Sequence, residues 1–306
     1  MITIAYITCR ANPQFNWFAE SFLRQTKGYG HDFEIIVIDS QKDFRDASFL
    51  KWIDALNARH VAPKPNVWSG PHRLTKSDWW SASSVRNTAL CLAKGDYLVC
   101  VDDLSVLMPG YIDYVQLHAS QKRAFAGRYQ KLKNVVVTDG LFVSGQEFDG
   151  GIDTRFSKGM VNYVNVGGGI FYGASCGAPL EALLTINGWD EDCDSISGED
   201  YIAGLMLERN GCPVYYEPRI FHIESEELHH PPNNTPALRA DKKINDVTSS
   251  MAMLNMVLYH NRHKAPNYFG DDGIQGLRKD IQNGLPFPIM DKPQHHWPDS
   301  QLISSM

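Results

Sequence analysis

The feature that most constrains the fold is a set of three continuous apolar segments in the first hundred residues. A segment that is apolar on both faces is typical of a strand in a parallel sheet with helices on both sides. The strands are predicted at 2–7 (ITIAYI), 33–39 (FEIIVID) and 96–101 (DYLVCV), and segments with helical spacing lie between them at 15–26, 44–57 and 83–95. The order β, α, β, α, α, β predicts a doubly wound α/β fold.

The first predicted helix carries a distinct apolar face. Phe15, Phe18, Phe22 and Leu23 recur at helical spacing within residues 15–26. We expect all four side chains to be buried against the sheet.

Polar side chains stand at the carboxyl end of each predicted strand. Thr8 and Arg10 follow the first strand, Asp39 ends the second, and Asp102 with Asp103 follow the third. In open α/β sheets, ligands bind beyond the carboxyl ends of the strands, so these residues predict a binding edge. A plainer interpretation of the aspartates is that they only mark turns, where this residue is common.

The composition is that of an ordinary soluble globular chain. The 306 residues are 43% hydrophobic and carry a net charge of −6, which does not indicate general affinity for nucleic acid or membrane surfaces. The six cysteines include no C-x-x-C pair, which argues against a zinc site or a disulfide framework. No apolar run is long enough to span a membrane, and no secretory signal is evident. We therefore expect a cytoplasmic protein.

A second candidate site lies at residues 198–211, which read GEDYIAGLMLERNG. The segment predicts a helix that begins with Glu199 and Asp200 and ends at Gly211. One interpretation is helix capping, because Ser197 and Asp200 have capping-box spacing and acids are favoured in a first turn. The other is that one of these acids faces a cleft and accepts a proton from a substrate.

The remainder of the chain is less strongly patterned. Residues 125–170 predict mixed strands and loops, 178–188 a helix, 212–218 a strand, and 238–263 a long amphipathic helix. Prolines from residue 231 onward indicate a break. We predict a domain at 1–225 and a helical extension with a mobile tail at 226–306. The histidine pairs His229–His230 and His295–His296 could be metal ligands, but pairs in such segments are usually solvated, and we expect this for both. Trp79–Trp80 is a candidate for stacking on a sugar or a base.

The order of several short motifs resembles glycosyltransferase family 2, whose members have the GT-A fold. Residues 83–110 contain VRNTAL, AKGDY, LVCV and DDLS in the order that this family shows. The adjacent Asp102-Asp103 pair stands where the family usually has D-x-D. Residues 167–211 resemble the acceptor half of the family and of β-galactosyltransferases, with Trp189 at a position that is usually phenylalanine. The resemblance implies a GT-A, Rossmann-like α/β fold with a mixed, mainly parallel sheet flanked by helices.

The resemblance also implies a set of site residues. A metal-dependent, inverting enzyme of this kind would use Asp200 as the general base on an acceptor hydroxyl. Its donor would be a nucleotide sugar, most often a UDP-sugar, and its cofactor Mn²⁺ or Mg²⁺. The donor would be held by Thr8, Arg10, Asp39, Arg86 and Asp102, the metal by Asp103 and His222, and the acceptor by Glu199 and Trp189.

Two other functions can be considered from the sequence, of which the first is disfavoured and the second stays open. A nucleotidyltransferase on a similar sheet would need a Gly-rich loop with Arg and Lys after the first strand, and TCRANPQFNW does not supply one. A non-catalytic nucleotide-sugar-binding or scaffold protein is the other alternative, favoured by the missing third acid. The acceptor could be a saccharide, a lipid, a protein or a hydroxylated DNA base, and a homo-oligomer is possible.

Overall fold

A computed structural model describes residues 1–27, 32–69, 80–160, 164–165, 167–193, 198–229, 256–266 and 272–288. The strands are β1 (Ile2–Thr8), β2 (Phe33–Asp39), β3 (Arg59–Val61), β4 (Tyr97–Asp102), β5 (Ser105–Leu107), β6 (Ala124–Thr138), β7 (Leu141–Gln146), β8 (Val164–Asn165), β9 (Ser175–Pro179) and β10 (Val214–Ser225). The α-helices are α1 (Phe15–Thr26), α2 (Ala47–Ala55), α3 (Ala82–Leu92), α4 (Tyr111–Ser120), α5 (Thr154–Ser157), α6 (Leu180–Thr185), α7 (Glu199–Arg209) and α8 (Gly273–Gln282). Short 3₁₀ turns occupy Lys42–Phe44, Gly168–Ile170 and Glu227–His229.

The strands form a mixed sheet in the order β3-β2-β1-β4-β9-β6-β10-β5. Strands β3, β2, β1 and β4 run parallel, with Thr8 opposite Asp39 and Ile7 opposite Asp102 in the register. Strand β9 is antiparallel to both β4 and β6, while β10 is parallel to β6. The predicted α/β class and its mixed, mainly parallel sheet are confirmed.

Helices cover both faces of the sheet, as the continuous apolar strands require. On β1, Ile4 and Tyr6 pack into one core with side chains of α1, α2 and α4. Ala5 and Ile7, on the opposite face, join a second core formed with α3, α6, α7 and α8. Because successive strand residues point to opposite faces, a strand buried on both sides must be apolar throughout.

Several local expectations need correction. Leu23 is 37% exposed, because the buried stripe of α1 runs through Phe15, Phe18 and Phe22 and leaves Leu23 at its edge. The last strand does not stop at residue 218 but continues as β10 to Ser225 after a register irregularity between Glu217 and Phe221. The long helix predicted at 238–263 falls mostly outside the described residues.

The described C-terminal segments pack on the same core as the rest of the chain. Ile274 and Leu277 of α8 are buried in the core that contains α3. Arg262 forms ion pairs with Asp190 and with Asp192, and both carboxylates are almost fully buried. Burial raises the pKa of Asp190 to about 7, although Arg262 opposes this shift. The proposed division at residue 225 stays a prediction.

Two further features of the described residues bear on the sequence analysis. All six cysteines are free thiols, and five of them are buried. No helix in the described ranges combines the length and the apolar character that crossing a bilayer requires.

Helix α7 is placed by a close contact between two glycines. Gly198 precedes the helix with a φ of 91°, and Gly211 follows it with a φ of 82°, so both ends use the left-handed backbone that favours glycine. Inside the helix, a Cβ at Gly204 would overlap the backbone of Gly168 in the neighbouring 3₁₀ turn. This contact fixes the distance between α7 and the turn that precedes β9.

We expect Gly204→Ala to destabilise the fold by about 1–3 kcal/mol, because the added methyl group forces the helix away from Gly168. Denaturant unfolding of the two proteins measures the change. Intrinsic helix propensity alone would act in the opposite direction, by up to about 1 kcal/mol. A variant more stable than the parent would therefore show that the glycine contact does not position α7.

Candidate active site

A cavity of about 340 Å³ opens at the carboxyl ends of β1 and β4, where ligands bind in open α/β sheets. The start of α7 forms another wall of this cavity. The structure therefore brings together the two regions that the sequence singled out. The lining side chains include Thr8, Arg10, Trp80, Arg86, Asp102, Asp103, Tyr129, Lys131, Tyr172, Glu199, Asp200, Glu224 and His229.

Asp103 is held by the end of β1. One carboxylate oxygen accepts a hydrogen bond from the Thr8 hydroxyl at 2.6 Å, and the other accepts one from Arg10 Nε at 3.0 Å. Leu104, the next residue, is fully buried and has a φ of 62°. The site therefore ties both Asp103 oxygens to protein partners.

Asp102 is the more available carboxylate of the pair. Its side chain is 37% exposed, and its near cation is Arg86, with Nη2 3.6 Å from Oδ1. Burial in the concave site raises the pKa of Asp102 to about 7, against the attraction of Arg86 and with repulsion from Glu224.

Arg86 also binds the first acid of α7. Its Nη1 donates to Glu199 Oε1 at 2.6 Å, and both side chains are almost completely buried. Glu199 Oε2 and Arg86 Nε have no hydrogen-bond partner among the described residues. Burial raises the pKa of Glu199 to about 7, and the neighbouring Asp200 adds to the shift while Arg86 opposes it.

Asp200 is oriented by the backbone. Its Oδ2 accepts a hydrogen bond from the Gly173 amide at 2.8 Å, and Oδ1 accepts one from the Tyr201 amide at 2.7 Å. Two amide donors therefore fix the orientation of the Asp200 carboxylate at the start of α7. A Cβ at position 173 would overlap the Arg86 guanidinium, so a larger residue there would displace that group. Ser197, the other member of the expected capping box, lies outside the described residues.

A chain of polar groups continues from Asp103 to β10. Arg10 donates from Nη2 to His229 Nδ1 at 2.9 Å, so the remaining hydrogen of a neutral His229 is on Nε2, which lies 3.0 Å from Glu224. Glu224 also binds His222 Nε2 at 2.7 Å. Burial disfavours the Glu224 charge, but the hydrogen bonds from His222 and His229 outweigh it and hold its pKa well below the usual range.

The expectation for His229 was wrong, because its side chain is only 18% exposed and belongs to this chain of contacts. Its partner in the sequence pair, His230, and the pair His295–His296 lie outside the described residues. No local pattern indicates the contact between Arg10 and His229, since these residues are 219 positions apart.

Three candidate residues lie outside the cavity lining. Asp39 is fully buried and accepts hydrogen bonds from Arg45 and His60, which lower its pKa in spite of burial. His222 is fully buried behind Glu224. Trp189 is 2% exposed, and its amide donates to Asn87.

The sequence analysis did not identify Tyr129, Lys131, Tyr172 or Glu224 as site residues. Tyr129 and Lys131 stand on β6, in the region whose strands and loops were predicted only as a mixture. Trp80 was a candidate and lines the cavity, whereas Trp79 falls outside the described residues. No local motif marks these positions, because each reaches the site through the packing of distant strands.

Comparison with solved structures identifies the architecture. Residues 1–349 of S. aureus TarS in complex with UDP match at a TM-score of 0.52 with 10% identity, over 86% of this chain and 67% of that one. The mannosyltransferase PcManGT from Pyrobaculum calidifontis, in complex with GDP-Man and Mn²⁺, matches at 0.53 with 15% identity, over 87% and 65% of the two chains. TarS 1–349 in complex with UDP-GlcNAc matches at 0.52 with 12% identity, over 84% and 65%.

The chain has a GT-A fold. At these identities the likeness shows the fold alone, and the chain spans about two thirds of the length of each of these structures. No protein family model matches the sequence, and no curated protein matches it significantly. The expected likeness to β-galactosyltransferases stays a prediction.

The raised pKa of Glu199 predicts a pH-dependent contribution to stability. The carboxyl has an ordinary pKa of 4.5 and a folded-state pKa of about 7, so the folded protein binds the proton more tightly between these values. Raising the pH through this window therefore costs stability. Glu199→Gln removes that cost, and we expect its stability relative to the parent to improve by about 1–3 kcal/mol between pH 5 and pH 8. Urea unfolding at the two pH values measures the difference.

Glu217→Gln is the control for the Glu199→Gln measurement. Hydrogen bonds from His118 and Arg219 outweigh burial and lower the pKa of Glu217 to about 2, so this side chain is ionised and stabilising at both pH values. We expect this variant to lose a similar amount of stability at pH 5 and pH 8. If Glu199→Gln behaved in the same way, the buried Glu199 carboxyl would not hold its proton near neutrality.

Proposed function

We propose that this chain transfers a sugar from a nucleotide sugar to an acceptor hydroxyl, with inversion at the anomeric carbon. One observation carries the proposal: a single cavity at the carboxyl ends of β1 and β4 holds the available carboxylate of Asp102 and, on α7, the amide-held carboxylate of Asp200. The first suits a donor with its cation, and the second suits a general base.

The residues that surround Asp102 support donor binding at this end of the cavity. Thr8 and Arg10 act through Asp103, which they hold by both oxygens. Asp39 is a positioning residue, because Arg45 links it to the backbone carbonyl oxygens of Arg10 and Ala11. The GT-A structures that resemble this chain were solved with UDP, UDP-GlcNAc, or GDP-Man and Mn²⁺, so uridine and guanosine nucleotides are the first candidates.

The lining side chains fit a divalent cation such as Mn²⁺ or Mg²⁺. Five carboxylates and three Lys or Arg side chains line the described part of the cavity, which leaves an excess of negative charge. No group of three or more His, Cys, Asp or Glu in the described residues forms a complete metal site, so the diphosphate and water would supply the other ligands.

Asp102, rather than Asp103, is the carboxylate that would bind the ion. Both Asp103 oxygens already accept hydrogen bonds, and His222 lies behind Glu224 with no place in the lining. When bound, the cation neutralises the charge that develops on the leaving diphosphate.

Asp200 is the proposed general base. It would accept the proton of the acceptor hydroxyl while the acceptor oxygen bonds to the anomeric carbon. The bond from that carbon to the phosphoryl oxygen breaks, and its electron pair leaves with the nucleoside diphosphate. A base on the opposite side of the donor favours this single displacement. Glu199 lines the cavity and Trp189 does not, so Glu199 is better placed to contact the acceptor.

The acceptor class is open among saccharides, lipids, proteins and hydroxylated DNA bases. A binding protein that kept the GT-A fold without catalysis is the competing function. A transferase and a non-catalytic binding protein would share the donor site, so donor binding and turnover must be measured separately.

Donor binding tests the first part of the proposal. With UDP- or GDP-sugars at a hundredfold excess over Kd, and with Mn²⁺, we expect stabilisation by about 2.7 kcal/mol, seen as a rise in Tm of several degrees that EDTA removes. Asp102→Asn should fold normally and lose this metal-dependent rise. Asp103→Asn should lower Tm without ligand, because it weakens the hydrogen bonds from Thr8 and Arg10. No rise with any nucleotide sugar would contradict the proposal.

Turnover tests the second part. Asp200→Asn should bind the donor as tightly as the parent but release nucleoside diphosphate at least about 100-fold more slowly, because the proton acceptor is lost. Asp54→Asn, an exposed change on α2, is the control and should change neither quantity. Donor binding without turnover in the parent, across the four acceptor classes, would favour the non-catalytic function.

A further inference from the structure

Lys131 is a cation in the cavity whose role the arrangement above leaves open. It lies on β6, is partly buried and lines the cavity. An ammonium group has three donors and no acceptor, and partial burial makes it costly to leave such a group without an anionic partner.

The other two cations that line the described part of the cavity are already engaged. Arg10 binds Asp103 and His229, while Arg86 binds Glu199 and lies near Asp102. The side chain of Lys131 forms no ion pair or hydrogen bond within the described residues. Its free charge therefore distinguishes it from the two arginines.

The strand register places Lys131 at the donor end of the cavity. Lys131 is the register partner of Glu224 in the parallel pair of β6 and β10, so the two backbones are neighbours in the sheet. Each Glu224 oxygen binds a histidine, which accounts for the absence of a Lys131–Glu224 pair. Lys131, Glu224 and Asp102 all line the same cavity.

We infer that Lys131 binds a phosphoryl oxygen of the donor diphosphate and stays with it in the nucleoside diphosphate product. The inference rests on the proposed function, because it assigns Lys131 to the same donor site. The diphosphate next to Asp102 presents several anionic oxygens, and a charge-assisted hydrogen bond from the ammonium group satisfies both partners. Lys131 would then share with the cation the negative charge that the departing phosphate gains.

The test compares nucleoside diphosphates with their nucleosides by calorimetry, using UDP against uridine and GDP against guanosine, with Mn²⁺ present. We expect Lys131→Met to weaken binding of the preferred diphosphate by about tenfold or more, because it removes a hydrogen bond between two charged groups. Binding of the matching nucleoside should be unchanged. Lys131→Arg should recover most of the diphosphate affinity, because it restores the charge.

Lys133→Met is the matched control. Lys133 lies two residues further along β6, is exposed and lies near the Phe148 ring outside the cavity. The Lys133→Met variant should leave the affinities for the diphosphate and for the nucleoside unchanged. Equal Tm values among the variants would show that each one folds.

The outcomes separate the two proposals. If the parent binds UDP or GDP and Lys131→Met binds it equally well, the assignment of Lys131 is wrong while the donor site stands. An equal loss for nucleoside and diphosphate would also overturn the assignment, because it would indicate a general disturbance of the cavity. If the parent binds neither diphosphate, the proposed function fails and the inference fails with it.

Discussion

The site depends on the hydrogen bonds that fix Asp103 to the end of β1. Thr8 and Arg10 hold its two oxygens, and Arg10 then reaches His229 beyond β10. These contacts join the ends of β1 and β4 to β10, on the other side of β9 and β6 in the sheet. Because both Asp103 oxygens accept hydrogen bonds from protein groups, the adjacent Asp102 is the more available carboxylate of the pair.

Buried charges around the site are held in pairs rather than singly. Arg86 binds Glu199, Lys64 binds Glu191, and Arg262 binds Asp190 and Asp192. Removing one partner of a buried pair typically costs about 3–5 kcal/mol, because the other charge is left without compensation. The acids at 190–192 are thus tied to segments distant in sequence, which orders the chain shortly before α7. The raised pKa values of Asp102, Glu199 and Asp190 show where this compensation is incomplete, both in the cavity and next to Arg262.

Much of the fold could be predicted from local sequence patterns, whereas the candidate site could be predicted only in part. The strands at β1, β2 and β4 and the helix that ends before Gly211 were predicted because burial on both faces and helical spacing leave direct traces in sequence. The prediction that Leu23 is buried was wrong because helical periodicity does not define the edge of a buried stripe. Glu224, Lys131 and His229 were missed because β6 and β10 meet β4 only through long-range strand order. The roles assigned to the remaining site residues are proposals that the suggested variants address.

The sequence by itself determined the α/β class and the position of polar residues at strand ends, since both depend on residues near one another in the chain. It also placed Asp102-Asp103 at the end of a strand and Glu199-Asp200 at the start of a helix, as β4 and α7 show. Only the tertiary structure decided which carboxylates are available. Asp103 is bound by residues 93 and 95 positions away, and Glu199 by one 113 positions away. Such pairings depend on how the sheet is ordered and how deeply each charge is buried, and no local pattern contains that information.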